Sequence, residues 1–329
     1  MLIPVREQSQ VFQSRQAAEA LARDLNFTEH QVGKVAIVAT EIATNLIKHA
    51  RQGEFSATIV DECGIPGVEL LAVDAGPGIA DIHRILADGY STTGTAGTGL
   101  GAVKRLSDRF AIHSKVGAGT VLMARLTQSP PPEDWKGIEV GAAISAMPGE
   151  QVPGDAWTFR RLPTGGVLMV ADGLGHGPDA AIAAREAVRV MRESQASAPC
   201  LLAEFVHRAL ATTRGAAIGI ADIAVETAQV AFVGIGNISA SVVTGGASRP
   251  LVSHYGTAGI TAPRIAEFLC PITLPAIVIL HSDGISSRWQ IGDYAGLEQQ
   301  HASIIAGVVY RDFRRGRDDA AVAVARVLS

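Results

Sequence analysis

The sequence predicts an α+β protein made of two domains. A chain of 329 residues is long enough to form two hydrophobic cores. Near its middle, three consecutive prolines at 130–132 cannot continue a helix or a central strand. We therefore predict a proline-rich linker over residues 128–136, between a first domain at 1–127 and a second domain at 137–329. Strand patterns interrupted by a few helices are typical of mixed sandwiches.

The first domain is predicted to be an α/β sandwich with a long loop. Apolar spacing indicates a helix from Gln10 to Asp24. Thr28 and Gln31 form a capping-box pattern that opens a second, longer helix. A stretch rich in glycine, serine and threonine at 88–101 predicts a flexible loop that leads into a helix at about 100–108. Strands are predicted at about 55–61, 68–74, 109–114 and 119–127.

The second domain is predicted to consist mostly of strands. Its apolar runs place strands at about 137–146, 154–161, 166–171, 216–226, 229–235, 238–244, 276–281 and 319–327. Helices are predicted at about 178–194, 200–213 and 297–309. Strands and helices do not alternate strictly in this order, so we expect a mixed sandwich rather than parallel βαβ units.

The composition excludes several classes of function. A net charge of -4 leaves no basic surface of the size that nucleic acid requires. The three cysteines are scattered, without the spacing of zinc ligands, which favours a reducing compartment. The sequence shows neither a signal-peptide pattern nor an apolar run of about 20 residues. We therefore expect a cytoplasmic protein with no nucleic-acid or membrane partner.

Polar residues of the first domain have the chemistry of a nucleotide site. Glu41 and Asn45 lie four residues apart on a predicted helix and therefore share one face. The Asn45 amide oxygen suits Mg2+, and Glu41 could act as a base toward a hydroxyl group. Asp74, at the end of a predicted strand, can accept a hydrogen bond from an exocyclic amine. Gly76 and Gly78 allow the backbone to approach a flat ligand closely.

A glycine-rich run opens the next predicted helix, and its backbone amides suit phosphate oxygens. The run consists of Gly97, Thr98, Gly99, Leu100 and Gly101. Taken singly, each of these motifs is more often a polar helix surface, a turn or a loop. Their order and their spacing are what favour a nucleotide site.

In that order and spacing, the first domain resembles the GHKL-type (Bergerat-type) ATP-binding domains, and among them the RsbT-like anti-sigma and switch serine kinases. The resemblance runs through EIATNLIKHA, VDAGPGIADI and ILADGYSTTGTAGTGLGAVKRLSDRFAIHSKVGAGT, which together cover essentially the whole domain. It implies an α/β sandwich that binds Mg-ATP. In this fold Asn45 would be the magnesium ligand and Glu41 the catalytic base. Asp74 would contact adenine, beside Gly76 and Gly78.

The same resemblance implies further roles in ATP binding. Residues 88–98 would form the ATP lid, Gly99 and Gly101 would lie under the phosphates, and Thr120 would help to close the adenine pocket. No pattern of a phosphoacceptor helix precedes residue 28. We therefore interpret His30 and His49 as ordinary helix residues and do not expect a histidine kinase.

Aspartates lie near the ends of predicted strands in the second domain. They are Asp155, Asp172, Asp283, Asp318 and Asp319. Carboxylates at strand ends can converge on one point although they are far apart in sequence, and oxygen donors without histidine or cysteine favour Mg2+ or Mn2+ over zinc. Two such ions about 3.5–4 Å apart can activate a water for attack on a phosphoryl group. Taken singly, an Asp-Gly pair is more often a turn.

This set of aspartates resembles the SpoIIE-like branch of the metal-dependent protein phosphatases, and RsbX most closely. The matching segments are VPGDAWTFRR, VADGLGHGPDAAIAAREA, RGAAIGIADI, FVGIGNISA, LHSDGI and GRDDAAVAVAR, which cover most of residues 137–329. The resemblance implies an α-β-β-α sandwich in which Asp172 bridges two ions and the Gly173 carbonyl binds one of them. Asp283 and Asp318 would complete the second ion site, and Asp155 would hold a water or a ligand.

Other residues near these motifs have less certain roles. Asp319 occupies a position where many relatives of the wider family have asparagine, and the order of Asp318 and Asp319 in metal binding stays open. His176, in the DGLGHG segment, could protonate a leaving serine oxygen or simply pack on the following helix. Arg160 and Arg161 could attract phosphate, although a solvated strand end is the favoured interpretation.

Together the two halves predict a bifunctional switch protein. Its first domain would phosphorylate serine or threonine on a partner with Mg-ATP, and its second would hydrolyse such phosphates with two Mg2+ or Mn2+ ions. The resemblances imply STAS-domain partners, such as anti-sigma-factor antagonists or stressosome scaffold proteins. Two alternatives remain open. In one, the first domain is a binding module without kinase activity that sequesters a sigma factor or activates another phosphatase. In the other, the chain is mainly a phosphatase, and ATP or ADP bound to the first domain sets its rate.

Overall fold

Residues 1–86, 99–132 and 137–328 are described by a computed structural model. The chain divides into two units, Met1–Trp135 and Lys136–Ser329. Linker residues 133–136 lie outside the described part, so the domain limits at 1–127 and 137–329 remain predictions.

The start of the predicted linker is hydrogen-bonded to the first unit. The Gln128 N–H donates to the Pro66 carbonyl at 3.0 Å, and the Gln128 carbonyl accepts from Gln31 Nε2 at 3.0 Å. Four residues on, the Pro132 carbonyl accepts from Arg109 Nη2 at 2.8 Å. Residues 128–132 are therefore held against the first unit rather than extending freely from it.

The first unit is an α/β sandwich. Its antiparallel sheet has the order β1-β2-β3-β5-β4, and α1 and α2 pack against it around one hydrophobic core. The strands are β1 (Ile3–Pro4), β2 (Gly53–Glu62), β3 (Ile65–Asp74), β4 (Arg109–Lys115) and β5 (Gly119–Thr127). The helices are α1 (Gln8–Asp24), α2 (Glu29–His49), α3 (Ile82–Leu86) and α4 (Leu100–Leu106).

Helix α2 shows why this half folds as predicted. Its buried residues include Val32, Val35, Ala39, Ile42 and Leu46, which recur every three or four positions along one face. The capping box is present at its start: the Gln31 N–H donates to the Thr28 hydroxyl oxygen at 3.3 Å, and the Thr28 N–H donates to Gln31 Oε1 at 2.9 Å. The helix ends where Ala50 takes an extended conformation. Its buried stripe positions its polar residues at a fixed edge of the sheet.

The second unit is an α-β-β-α sandwich, which confirms the predicted fold class. One sheet has the order β13-β10-β9-β8-β7, with β14 paired to β10, and the other has the order β12-β11-β15-β16-β6. The first sheet contains β7 (Asp155–Leu162), β8 (Gly165–Gly173), β9 (Ala216–Ala224), β10 (Gln229–Ile235), β13 (Ser253–His254) and β14 (Phe268–Pro271). The second contains β6 (Ile138–Ser145), β11 (Ser239–Thr244), β12 (Ala247–Leu251), β15 (Ala276–His281) and β16 (Ala320–Val327).

Helices cover the outer faces of this sandwich. They are α5 (Pro178–Glu193), α6 (Pro199–Ala209) and α7 (Ala302–Phe313). Strand β8 shows how the layers are separated: Leu168 and Val170 point into the core between the sheets, whereas Val167 and Met169 belong to the core under α5 and α6. Among the described residues, no helix combines the length and apolar character needed to cross a membrane.

The main differences from the predicted elements lie in short or irregular segments. The helix predicted at 297–309 is wrong at its start: Leu297–Gln299 form a separate 3-10 turn, and α7 begins after His301, whose ring accepts a hydrogen bond from the Ser303 N–H. A buried Leu297 created the false helical period. Strands β1, β12, β13 and β14 were not predicted, because each has only two to five residues.

We expect Thr28→Ala to loosen the first turn of α2. Loss of the side-chain cap costs about 1 kcal/mol, which is roughly a fivefold change in local opening. Hydrogen exchange of peptides covering residues 28–34 should therefore quicken by about that factor. Thr40→Ala is the matched control, since the Thr40 hydroxyl donates to the Ala36 carbonyl inside the same helix and adds little stability. Equal exchange in both variants would contradict the role of the cap.

Candidate functional sites

Helix α2 presents the first two predicted site residues on one half-buried face. Glu41 and Asn45 lie one turn apart, and neither side chain is fully exposed. Burial raises the pKa of Glu41, and the positive charge of Lys48 partly opposes this shift. The Asn45 Nδ2 atom is buried and has no hydrogen-bond partner among the described residues. A buried amide nitrogen that lacks a protein acceptor fits a group that donates a hydrogen bond to a bound ligand such as a nucleotide.

The turn after β3 is packed tightly around glycines. Asp74 Oδ1 accepts a hydrogen bond from the Gly76 N–H at 2.7 Å, which fixes the carboxylate at the strand end. A Cβ on Gly76 would lie 2.7 Å from that same oxygen and 2.8 Å from the His49 carbonyl oxygen. Gly78 has a φ of 71°, and a Cβ there would lie 2.1 Å from the Lys115 carbonyl oxygen. Both predicted glycines are therefore required by the backbone itself.

Gly119 was not among the predicted site residues, although it contacts one of them. Its φ is 90°, and a Cβ there would lie 2.0 Å from the Asp74 carbonyl oxygen. Its neighbour Thr120 is a predicted residue, and the Thr120 hydroxyl lies 2.9 Å from the Ser114 hydroxyl. Ser114 accepts from the Ile79 N–H at 2.8 Å. Ser114, which we also missed, thus connects Thr120 to the turn that carries Asp74.

Only part of the predicted phosphate-binding run can be placed. Gly97, Thr98 and the lid at 88–98 lie outside the described residues. Gly99 is the N-cap of α4, and its carbonyl accepts from the Ala102 and Val103 N–H groups at 3.0 and 3.3 Å. Leu100 begins the helix, and Gly101 is buried within it.

The aspartates of the second unit come together at one end of the sandwich. Asp155 and Asp172 are direct partners across β7 and β8 in one sheet. Asp283 follows β15, and Asp318 and Asp319 precede β16, so these three belong to the other sheet. The site is therefore built from both sheets, as the strand-end argument predicted.

Ser282 connects the two sheets at this point. Its buried hydroxyl donates to Asp155 Oδ2 at 2.6 Å and accepts from the Ala321 N–H at 3.0 Å. A second contact between the segments comes from Asn237, whose Nδ2 donates to Asp283 Oδ2 at 2.7 Å. Sequence reasoning missed both residues, because neither carries a charge or belongs to an Asp-Gly pair.

The glycines next to the aspartates let neighbouring backbone segments approach closely, and they do not form left-handed turns. None of Gly154, Gly173 and Gly284 has a positive φ. A Cβ on Gly284 would lie 1.9 Å from the Asp319 carbonyl oxygen, and a Cβ on Gly173 would lie 2.1 Å from the Ala180 carbonyl oxygen. A Cβ on Gly154 would lie 2.7 Å from Asp319 Oδ2. These glycines let the segments that bear the carboxylates pack against each other.

Burial and mutual repulsion raise the pKa values of the clustered carboxyls. Burial, followed by the charges of Asp283, Asp318 and Asp319, raises the pKa of Asp172 to about 7. Burial and then the charge of Asp172 hold the pKa of Asp155 well above its usual range. Burial is also the main cause of the raised pKa values of Asp283 and Asp319. The cluster is thus an environment that a bound cation would stabilise.

The donor set fits hard divalent ions. Asp155 Oδ1 and Asp319 Oδ2 are buried without a hydrogen-bond partner in the described residues, so two carboxylate oxygens are available at the cluster. Among the described residues, however, no three His, Cys, Asp or Glu side chains are arranged so that they could hold a metal ion as they stand. Other oxygens of the cluster are turned toward protein donors instead: Asp319 Oδ1 accepts from the Met147 N–H, and Asp318 Oδ1 from the Asp319 N–H, both at 2.9 Å.

Basic residues named from the sequence have different surroundings. His176 Nδ1 lies 2.7 Å from Glu150 Oε1, and the charge of His176 lowers the pKa of Asp319, so this exposed imidazole lies near the cluster. Arg160 instead donates to the carbonyls of Ser194 and Ala196 beyond α5. Arg161 contacts the Ile138 carbonyl and the Phe159 ring. Neither arginine is aimed at the aspartates.

Comparisons with known proteins match each half separately. Residues 4–126 match the histidine kinase-like ATPase domain family, and residues 163–328 match the stage II sporulation protein E (SpoIIE) family. The serine/threonine-protein kinase RsbT of Bacillus subtilis (strain 168) is 36% identical over 111 residues, which are 34% of this chain and 84% of RsbT.

Two solved structures share the fold. One, described as "The bacterial stressosome: a modular system that has been adapted to control secondary messenger signaling", is 27% identical with a TM-score of 0.54, covering 58% of this chain and 100% of that chain. The other, RsbX in complex with magnesium, is 19% identical with a TM-score of 0.52, covering 59% of this chain and 98% of RsbX. The second likeness concerns the fold alone.

The raised carboxyl pKa values predict an unusual pH dependence of stability. In the absence of divalent ions the folded state binds more protons than the unfolded state between the unfolded pKa of Asp172, near 4, and its folded value of about 7. The free energy of unfolding of the second unit should therefore fall as the pH rises through this window. At about 1.4 kcal/mol per pKa unit, the loss from Asp172 is on the order of 4 kcal/mol.

Urea unfolding in EDTA at pH 5 and pH 8, followed by the fluorescence of Trp157 and Trp289, measures this loss. Mg2+ or Mn2+ should reduce it, and Asp172→Asn should remove most of it. Asp293→Asn, at an exposed position of the same unit, should keep the wild-type pH dependence. A second unit that gains stability between pH 5 and pH 8 in EDTA would refute the electrostatic account.

Proposed function

The chain belongs to the stage II sporulation protein E family through residues 163–328 and to the RsbT-type histidine kinase-like ATPases through residues 4–126, and on this premise we propose that it is a bifunctional switch enzyme. The first unit phosphorylates serine or threonine on a partner protein with Mg-ATP. The second unit hydrolyses such phosphates. The observation that carries the proposal is the convergence of five aspartates from two sheets, on the same chain as an ATPase-type domain.

In the first unit, the residues of α2 and of the turn after β3 have complementary roles. Asn45 would hold the Mg2+ of Mg-ATP through its amide. Glu41 would accept the proton of the attacking hydroxyl, and its raised pKa brings it closer to the pH at which a general base is most effective. The carboxylate of Asp74, oriented by the Gly76 N–H, would accept a hydrogen bond from the adenine amine. Thr120 would close the pocket from β5.

In the second unit, the aspartates would hold the metal ions and orient the substrate. Asp172 and the Gly173 carbonyl, with Asp283 and Asp318, would bind two Mg2+ or Mn2+ ions. When bound, the ions would supply the Lewis acidity that activates water for attack on the phosphoryl group. Ser282 keeps Asp155 in place at the junction of the two sheets, where it would orient a ligand or a water. Asp319 is held by the Met147 N–H beside them.

His176 is placed to assist departure of the serine or threonine oxygen. Its Nδ1 lies 2.7 Å from Glu150 Oε1, and this contact orients the ring. The imidazole is exposed, so Nε2 can reach a substrate. In this role, His176 would donate its Nε2 proton to the leaving oxygen.

We infer that the partner is a STAS-domain protein of a sigma-factor regulatory system or a stressosome-type assembly, in the cytoplasm where ATP is available. The support is the 36% identity to RsbT and the 27% identity to a structure described as part of the bacterial stressosome. Opposed kinase and phosphatase activities on one site would only consume ATP. Either one activity is therefore gated, or the two act on different phosphosites, or one domain is inactive.

Two single substitutions should separate the activities. With a STAS-domain protein from the same source, Asn45→Ala should abolish ATP-dependent phosphorylation and keep metal-dependent dephosphorylation. Asp172→Ala should do the reverse and lower hydrolysis by at least about 100-fold, since it removes a carboxylate that would hold the metal ions. Phosphate-affinity gels of the partner measure both reactions. The activity that each variant retains shows that its chain is folded.

Loss of both activities in either variant would contradict the two-site proposal. Nucleotide binding without phosphate transfer to any partner would reduce the first unit to a binding module. Dephosphorylation retained by Asp172→Ala would exclude the assigned metal cluster.

A further inference from the structure

A backbone loop fixes one arginine beside the aspartate cluster. Residues 314–319 connect α7 to β16 and run along the turn after β15. The Arg315 N–H donates to the Gly284 carbonyl at 2.8 Å, and the Ser286 N–H donates to the Phe313 carbonyl at 2.9 Å. An isolated bridge also pairs Ile285 with Arg314. These contacts anchor the Arg315 backbone next to Gly284, which directly follows Asp283.

The guanidinium of Arg315 belongs to a residue whose backbone is bonded beside Asp283, and it has no protein partner in the described ranges. Its positive charge lowers the pKa of Asp283 against the larger effect of burial, so its charge is felt at that carboxyl. Its side chain is exposed and makes no hydrogen bond or ion pair within the described ranges. Two other cationic side chains near the site are already occupied. His176 lies against Glu150 at 2.7 Å, and Arg214 Nη2 lies 2.5 Å from Asp179 Oδ2.

A phosphorylated substrate requires a cationic side chain without a protein partner beside the aspartate cluster. A phosphoserine or phosphothreonine carries a charge of about -1.5 to -2 at neutral pH and would meet five clustered carboxylates. Bound metal ions offset part of this repulsion. An arginine whose planar fork can donate two hydrogen bonds is the side chain best matched to the remaining phosphate oxygens.

We propose that Arg315 binds the phosphate group of the substrate at the entrance to the aspartate cluster and sets the affinity for phosphoserine and phosphothreonine. This inference rests on the phosphatase function proposed above and adds a specificity-determining residue to it. Arg315 would reach the phosphate from the loop before β16. The group stays attached to the substrate until water displaces the serine or threonine oxygen, and Arg315 gains or loses no proton.

Kinetics of three variants of the full chain test this role. Arg315→Ala should raise the KM for p-nitrophenyl phosphate and for a phosphoserine peptide at least tenfold, with a smaller change in kcat. It should weaken inhibition by inorganic phosphate to the same extent. Arg315→Lys should recover part of the affinity, because lysine keeps the positive charge. It should not recover all of it, because lysine cannot donate two parallel hydrogen bonds as a guanidinium does. Arg317→Ala is the matched control, since Arg317 is an exposed arginine of the same loop. Its KM should stay within twofold of wild type.

Two binding measurements separate this inference from the function on which it rests. Calorimetric titration with Mn2+ should show that Arg315→Ala binds the metal no more weakly than wild type, because a positive charge has been removed from beside Asp283. Titration of the Mn2+-loaded chain with inorganic phosphate should show at least tenfold weaker binding in Arg315→Ala. This second titration needs no turnover, so it decides the role of Arg315 even if wild type hydrolyses no phosphate ester.

The outcomes are distinct. Unchanged KM and unchanged phosphate affinity in Arg315→Ala, with an active wild type, would overturn the inference and leave the phosphatase standing. Equal losses in Arg315→Ala and Arg317→Ala would show a general effect of surface charge and would also overturn it. A wild type without hydrolysis would count against the proposed function itself.

Discussion

Repulsion among partly buried carboxylates is the constraint on which the second unit depends. Asp155 and Asp172 enter the cluster from one sheet, and Asp283, Asp318 and Asp319 enter it from the other. Bringing like charges out of water together is unfavourable unless protons or cations compensate them. Protonation, which the raised pKa of Asp172 favours, is one compensation, and bound divalent ions would be the other. A chain that maintains this arrangement gives up stability to obtain a binding site.

Uncharged residues hold this arrangement in place. The Ser282 hydroxyl joins Asp155 to the backbone that leads into β16, and Asn237 supports Asp283. Glycines permit the segments to approach closely, most clearly Gly284, whose Cβ would overlap the Asp319 carbonyl. The first unit uses the same device, since Gly119 lies against the strand end that carries Asp74. In both units, a rigid sheet positions the polar groups, and glycines remove the steric barrier between them.

Much of this architecture follows from sequence pattern. The long amphipathic helix α2 and the buried strand β8 were predictable because their apolar periods extend over many residues. The start of α7 was not, because Leu297 is buried by a single 3-10 turn that mimics a helical period. The charged residues of the candidate sites were also visible as motifs. Ser114, Ser282 and Glu150 were not, because their importance lies in contacts between segments that are distant along the chain.

The aspartate cluster would bind divalent ions as one unit that spans both sheets, as proposed above. The most direct measurement is the Mn2+ stoichiometry of the full chain without nucleotide, by equilibrium dialysis with electron paramagnetic resonance of the free ion. We expect two Mn2+ per wild-type chain, and loss of at least one in Asp172→Asn, because Asp172 pairs with Asp155 across one sheet and interacts with the carboxyls of the other. A wild type that binds no Mn2+, or an unchanged stoichiometry in Asp172→Asn, would contradict it.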